Sequence, residues 1–138
     1  MDIVLKYFKD LSPRQKQMFY DLLPIYQEWN SKVNIISRKD LDEFYLHHVL
    51  HSLTLVSKLS FKPETRILDL GCGGGFPGIP LAIFYPDVQF TLIDGTAKKI
   101  KVVNVVIGAK LHIIIIDNTY QCSFLFFGVL FVVFFFLN

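Results

Sequence analysis

Two carboxylates and a run of glycines have the types and spacing for ligand chemistry in this chain. Asp69 stands two residues before Gly71 in the run Asp69, Leu70, Gly71, Cys72, Gly73, Gly74, Gly75, and Asp94 closes an apolar stretch about twenty residues beyond that run. Glycines packed this densely belong to neither a strand nor a helix interior, because each costs conformational entropy and brings no packing. They mark backbone that takes positive φ and lies close to something. Pro80 then suits the first turn of a helix, so strand, glycine loop and helix start together read as a nucleotide-type cradle. A carboxylate at the tip of the second parallel strand is placed to accept from ribose hydroxyls. The competing reading of Asp94 is a turn or cap, since Gly95 and Thr96 follow; with the loop upstream, the ribose role is favoured.

A dinucleotide fingerprint G-x-G-x-x-G is found only by starting at Gly73, with Gly75 and Gly78. The frame containing Asp69 accounts for more, because an acid at the strand end can accept from an ammonium group, directly or through water. The amino acid part of S-adenosylmethionine carries such a group, and NAD does not. Other reactive side chains are less telling. His47 and His51 are four apart, the spacing of two zinc ligands on a helix, but no Glu stands between them in the HExxH manner and no third ligand is evident. No metal site is expected, and His48 reads as a packed or hydrogen-bonded core residue. Lys98, Lys99 and Lys101 have the chemistry to meet nucleic acid phosphates, although such a run more often forms a solvated face.

The elements that must hold these residues can be read from periodicity. Ile67, Leu68 and Leu70 around Asp69 suit a short strand covered on both faces, followed by the glycine loop and a helix over about 78–85. Residues 89–93 read as a second buried strand, ended by Asp94. Upstream, Asp2 to Phe8 is a short amphipathic piece, and Ser12, Pro13 and Gln15 form a capping-box entry to a helix. That helix carries Met18, Phe19, Leu22, Leu23, Tyr26, Trp29 and Val33 as its apolar stripe, and Pro24 is expected to kink it. A second helix is expected over about 40–59. The helices form a cap ahead of the α/β unit.

Length and composition bound the rest. A chain of 138 residues has room for one modest core. The net charge of +2 is weak, but all 14 Lys and Arg lie at or before Lys110, and half of the 14 Phe fall after it. Cys72 and Cys122 give no disulfide framework, which favours a reducing compartment, and the start MDIVLKYFKD lacks the basic opening and long apolar core of a signal peptide. Residues 111–116 could imitate a third strand with Asp117 after it. From Ser123 to Leu137 the pattern has no period. As a membrane span it is short, about fifteen residues where about twenty are wanted; as a core strand it is too long; as an out-of-frame translation of an AT-rich gene it makes compositional sense, and that reading is favoured.

Residues 1 to about 107 resemble the RsmG (GidB) family of bacterial small-subunit ribosomal RNA methyltransferases. The resemblance is carried by WNSKVNIISRKDL (Trp29 to Leu41), HHVLHSL (His47 to Leu53), ILDLGCGGGFPGIPLAI (Ile67 to Ile83), and LID with KKIKVV (Leu92 to Asp94, Lys98 to Val103). It implies an α/β fold, an N-terminal helical cap over residues 1–60 followed by a Rossmann-like class I methyltransferase fold, of which 61–110 are the N-terminal half. It also implies S-adenosylmethionine as cofactor, Gly71, Gly73, Gly75 and Phe76 as its cradle, and Asp94 on its ribose. The substrate implied is guanine N7 in a conserved loop of 16S RNA in the small ribosomal subunit, for a monomeric cytoplasmic enzyme. Two positions depart: His51 stands where many relatives carry Asp, and Gly95 where many carry Ser; neither is given a catalytic role.

Guanine N7 carries a lone pair and no proton, so methyl transfer to it needs alignment and no general base; alignment alone supplies several kcal/mol. No catalytic residue is therefore assigned. Family members run to roughly two hundred residues, in the range of a single domain. The fold is thus expected to be truncated after about two or three strands, with 111–138 an aberrant hydrophobic tail and activity weak or absent. Two alternatives remain: a non-catalytic fragment tethered to a membrane by that tail, and an NAD-dependent oxidoreductase resting on the shifted glycine pattern.

Overall fold

The computed structural model of the chain describes residues 1–108, 111, 113–117 and 135–137. Apart from those few positions, the expectations for 111–138, whether membrane span or out-of-frame tail, concern residues outside the described set.

The cap begins with α1 (Asp2–Tyr7) and α2 (Pro13–Asn30). The capping box forms as expected: Gln15 N–H donates to Ser12 Oγ at 3.2 Å and Ser12 N–H donates to Gln15 Oε1 at 2.9 Å. Gln15 also fastens the cap to the domain behind it, its side-chain amide donating to the carbonyls of Ile83 and Phe84 at 3.0 Å each. The helix runs on through Pro24, which lacks the N–H that Tyr20 carbonyl would receive. A distant side chain makes good the loss, for the Tyr45 hydroxyl donates to the carbonyls of Phe19 (3.1 Å) and Tyr20 (3.4 Å).

The single helix expected over about 40–59 is broken into pieces. It comprises α3 (Arg38–Asp42), a π-helical turn (Tyr45–Leu50), α4 (His51–Leu53) and a 3-10 turn (Thr54–Ser57). The buried side chains explain the wider turn: Phe44, Val49 and Leu53 are all in the core, at spacings of five and then four. An α-helix would rotate Val49 away from Phe44, whereas one π turn keeps both on the core side.

The α/β unit follows as read. Strand β1 (Arg66–Leu70) leads through the glycine loop to α5 (Gly78–Phe84), then come β2 (Gln89–Asp94), α6 (Ala97–Ile107) and β3 (Ile113–Asp117). The three strands are parallel, in the order β3-β2-β1, with α5 and α6 as the crossovers that parallel pairing requires. Leu70 lies beside Ile93, and Asp94 beside Asp117, so the loop and both strand tips meet at one edge. The result is a helical cap on a Rossmann-like α/β sheet. One addition departs from the sequence reading: residues 135–137, expected not to act as a core strand, form β4 (Phe135–Leu137), antiparallel against Arg66, Ile67 and Leu68.

A second correction concerns sheet coverage. On one face Leu92 packs with Ile79, Ile83, Ile100 and Val103 of the helices in a core that Tyr26, Phe19, Val4 and Phe44 of the cap join, while Ile67 and Phe90 form a second cluster with Leu81, Ala82 and Val88. On the other face Leu68, Leu70, Thr91 and Ile93 are only half-buried, and Ile114 and Ile116 are 47% and 43% exposed. Burial therefore alternates along β1 and β2, where cover on both faces was expected.

Candidate functional site

The glycines divide into two kinds. Gly71, Gly73 and Gly75 have φ of +80°, +56° and +92°, a region that L side chains adopt only with strain. A Cβ placed on Gly71 or Gly73 would meet nothing within 4 Å. On Gly75 it would collide with Ile79, and on Gly78 with Leu92 while lying 2.7 Å from Asp69 Oδ2. Gly71 and Gly73 thus border open space, while Gly75 and Gly78 let α5 seat against the loop and sheet. Gly74 is closed from the other side by Ile35 of the cap, 2.7 Å from a Cβ there.

The loop's amides are largely spent on the chain itself. Gly71 and Cys72 N–H donate to Ile93 carbonyl (2.7 and 3.0 Å), Gly73 N–H to Asp94 Oδ2 (2.8 Å), and Gly75 and Phe76 N–H to Cys72 carbonyl (2.8 and 3.1 Å). Asp94 thereby joins the loop to the tip of β2, and its Oδ1 accepts from Thr96 N–H at 2.7 Å. The turn-forming role weighed for Asp94 is present, and carboxylate lone pairs remain for a further donor.

Asp69 is 1% exposed, and its Oδ2 accepts from Gly78 N–H at 3.0 Å. Burial pushes its carboxyl up to about 7, the Gly78 hydrogen bond opposing and the neighbouring Asp94 charge adding to the rise. Cys72, also buried, has its thiol raised by desolvation and by those same two acids. The Lys99 charge opposes that rise.

Phe76 turns into the protein. Its ring lies 4.8 Å from His48, 5.2 Å from Tyr26 and 5.9 Å from Phe44, centroid to centroid. Tyr26 also donates its hydroxyl to Gly74 carbonyl, and burial raises its ionisation well above the phenolic range. The sequence reading put Tyr26 in the apolar stripe and missed this hold on the loop; the one available signal is that a buried tyrosine needs a partner for its hydroxyl. Asn30 was missed as well: its Oδ1 accepts from Ile35 (2.8 Å) and Ile36 (2.9 Å) N–H, fixing the strap that closes on Gly74.

The histidines are dispersed. His47 Nδ1 lies 3.0 Å from Asp40 Oδ1, whose carboxyl is held below its ordinary range by Ser37 and by this contact. His51 is exposed, and His48 is packed on Phe76 with burial lowering its basicity. Among the described residues no three His, Cys, Asp or Glu side chains gather as a metal site.

This strand-loop-helix arrangement can be set beside known proteins. A protein-family model described as GidB, rRNA small subunit methyltransferase G, matches residues 15–118. The chain belongs to this family. Among curated relatives, a "Ribosomal RNA small subunit methyltransferase G" of Phocaeicola vulgatus is 54% identical over 109 residues, 79% of this chain and 52% of its own length. Its counterpart in Cytophaga hutchinsonii is 58% identical over 103 residues (75% and 50%), and that of Porphyromonas gingivalis 55% over 108 (78% and 49%). The chain spans about half the length of the curated relatives it matches. The matched region contains the whole of the described loop, both acids and most of the cap. Among the described residues no helix is long and apolar enough to cross a membrane.

Proposed function

We propose that this chain binds S-adenosylmethionine along Gly71, Gly73, Gly75 and Phe76, with Asp94 on the ribose, and that the whole protein methylates guanine N7 in 16S RNA of the small ribosomal subunit. The observation that carries this reading over a dinucleotide is the state of the loop. A pyrophosphate site needs free N–H groups aimed at the ligand. Here the amides of Gly71, Cys72, Gly73, Gly75 and Phe76 are occupied, and two carboxylates flank the loop, Asp94 accepting from Gly73 N–H and Asp69 buried against Gly78 N–H. These acceptors fit a ligand bearing an ammonium and a sulfonium group, and the open space at Gly71 and Gly73 fits its approach.

When bound, S-adenosylmethionine supplies an electrophilic methyl group. The chain's own part is positional. Asp69, ionised by a nearby cation, holds the ammonium end; Asp94 keeps the loop against β2 and offers its remaining lone pairs to hydroxyls. Tyr26 and Ile35 keep Gly74 from opening, and the aromatic group around Phe76 excludes water behind the loop. Guanine N7 has no proton to lose, so no residue is asked to act as base.

The same reading divides the chain into a helical cap (1–60), a cofactor-binding half (61–110) and a distinct tail (111–138). It takes the enzyme as a cytoplasmic monomer and expects little transfer from residues 1–138 alone. Isothermal calorimetry on this chain is expected to detect S-adenosylmethionine and not NAD; binding of NAD alone would replace the methyltransferase reading with a redox one. Small subunits lacking the N7 methyl group, incubated with a protein of the relatives' length, should accept label from the methyl donor.

A further inference from the structure

The cofactor reading leaves unused a basic rim beside the loop. Trp29, the chain's one tryptophan, is half-buried near the end of α2. Two ammonium groups from different elements lie over its ring: Lys32 Nζ at 4.9 Å from the centroid and Lys101 Nζ of α6 at 5.9 Å. The next residue, Asn30, fixes the strap whose Ile35 abuts Gly74, and Lys99 of α6 is close enough to influence Cys72 in the loop. The rim is therefore continuous with the mouth of the glycine loop.

Its charge is compensated at Lys32 and not along α6. Glu28 is taken by Lys32 at 2.7 Å and Asp40 by His47, and among the described residues no ion pair engages Lys98, Lys99 or Lys101. An aromatic ring attracts an ammonium group electrostatically; with Lys32 neutralised by Glu28, Lys101 is the ring-held ammonium group left for an external anion. A ring-held lysine has also lost part of its side-chain freedom before any ligand arrives, which lowers the entropic cost of using it.

We propose that this rim docks the phosphodiester backbone of a single-stranded RNA segment, Lys101 taking a phosphate while Trp29 holds its ammonium group in place and Lys98 and Lys99 of the same helix meet the neighbouring backbone. The inference rests on the RNA methyltransferase reading above and assigns part of its substrate path. Fluorescence anisotropy of a labelled single-stranded oligoribonucleotide of mixed sequence, titrated with this chain, tests it. Lys101→Glu should weaken binding about tenfold and flatten the slope of log K against log salt by about 0.7 for each phosphate lost. Lys101→Arg should retain most of the affinity. Lys62→Glu, ahead of β1 at the opposite end of the sheet, should change it less than about twofold. Trp29 emission should respond to RNA in the unaltered chain and not in Lys101→Glu.

Calorimetry with S-adenosylmethionine on each variant shows that the loop is intact and separates the two claims. RNA bound equally well by Lys101→Glu, with the same salt slope, overturns the rim alone. No RNA binding by the unaltered chain also overturns it; retained cofactor binding then leaves the cofactor site standing, and its loss takes that reading down too.

Discussion

Asp69 shows why a residue's type and position were legible while its state was not. The sequence places an acid at the end of an apolar strand beside glycines; only the structure puts it at 1% exposure against the first amide of α5. Burial raises its pKa to about 7, whereas in the unfolded chain it titrates near the ordinary 3.8. The folded chain therefore holds this proton more tightly than the unfolded one, and the associated stability is present below about pH 4 and lost as pH rises through about 7. A cationic ligand reverses the preference, because it binds the ionised form. Denaturant midpoints measured between pH 5 and 8 should therefore fall with pH in the free chain, and cofactor affinity should rise over the same window. Asp69→Asn keeps an acceptor for Gly78 N–H, so it should flatten the stability change while weakening S-adenosylmethionine at least about tenfold at pH 8. Unchanged affinity in that variant would remove Asp69 from the site.

Elements were legible where one period dominated. Strands β1 and β2 and the loop follow from branched runs and glycines, and Ser12 with Gln15 marked the start of α2. The π turn at Tyr45–Leu50 was hidden because residues 40–59 fit a helical stripe on average, and the five-residue step from Phe44 to Val49 has meaning only against a known core. Repair of the Pro24 gap by Tyr45, 25 and 26 residues away, leaves no local trace either. The glycine loop was recognised as an element, but all its glycines looked alike. The structure separates them by what a methyl group would strike. Gly71→Ala should cost about 1 kcal/mol through its positive φ and leave the fold in place, yet lower cofactor affinity by filling the cradle. Gly78→Ala meets Leu92 and Asp69 inside the packing, so it should destabilise by about 1–3 kcal/mol. Urea titration beside calorimetry separates these outcomes, and equal destabilisation by both would dissolve the distinction.

At the scale of the molecule, the described helices cover one face of the sheet and leave the other half-open. A parallel sheet is ordinarily covered on both sides, since its strands are apolar on both. Here Leu68, Leu70, Thr91 and Ile93 form a half-buried apolar layer, continued by Ile114 and Ile116. No sequence period could reveal this, because the composition of β3, four isoleucines and an aspartate, is the same whether one face or both are covered. The consequence is an asymmetry between neighbours in one strand. Ile114 and Ile116 contribute little to the core, whereas Ile113 and Ile115 pack against it. Replacing both exposed isoleucines by threonine keeps β-branching and should shift stability by less than about 0.5 kcal/mol per site. The same pair of changes should reduce binding of an apolar-surface dye and concentration-dependent light scattering, because exposed apolar area of this kind drives self-association. Ile115→Thr, placing a hydroxyl against α6 without a partner, should cost about 1–3 kcal/mol and leave dye binding of the folded chain unchanged. If the exposed pair proved as costly as Ile115, that face would be covered in solution, and the layer would belong to the core.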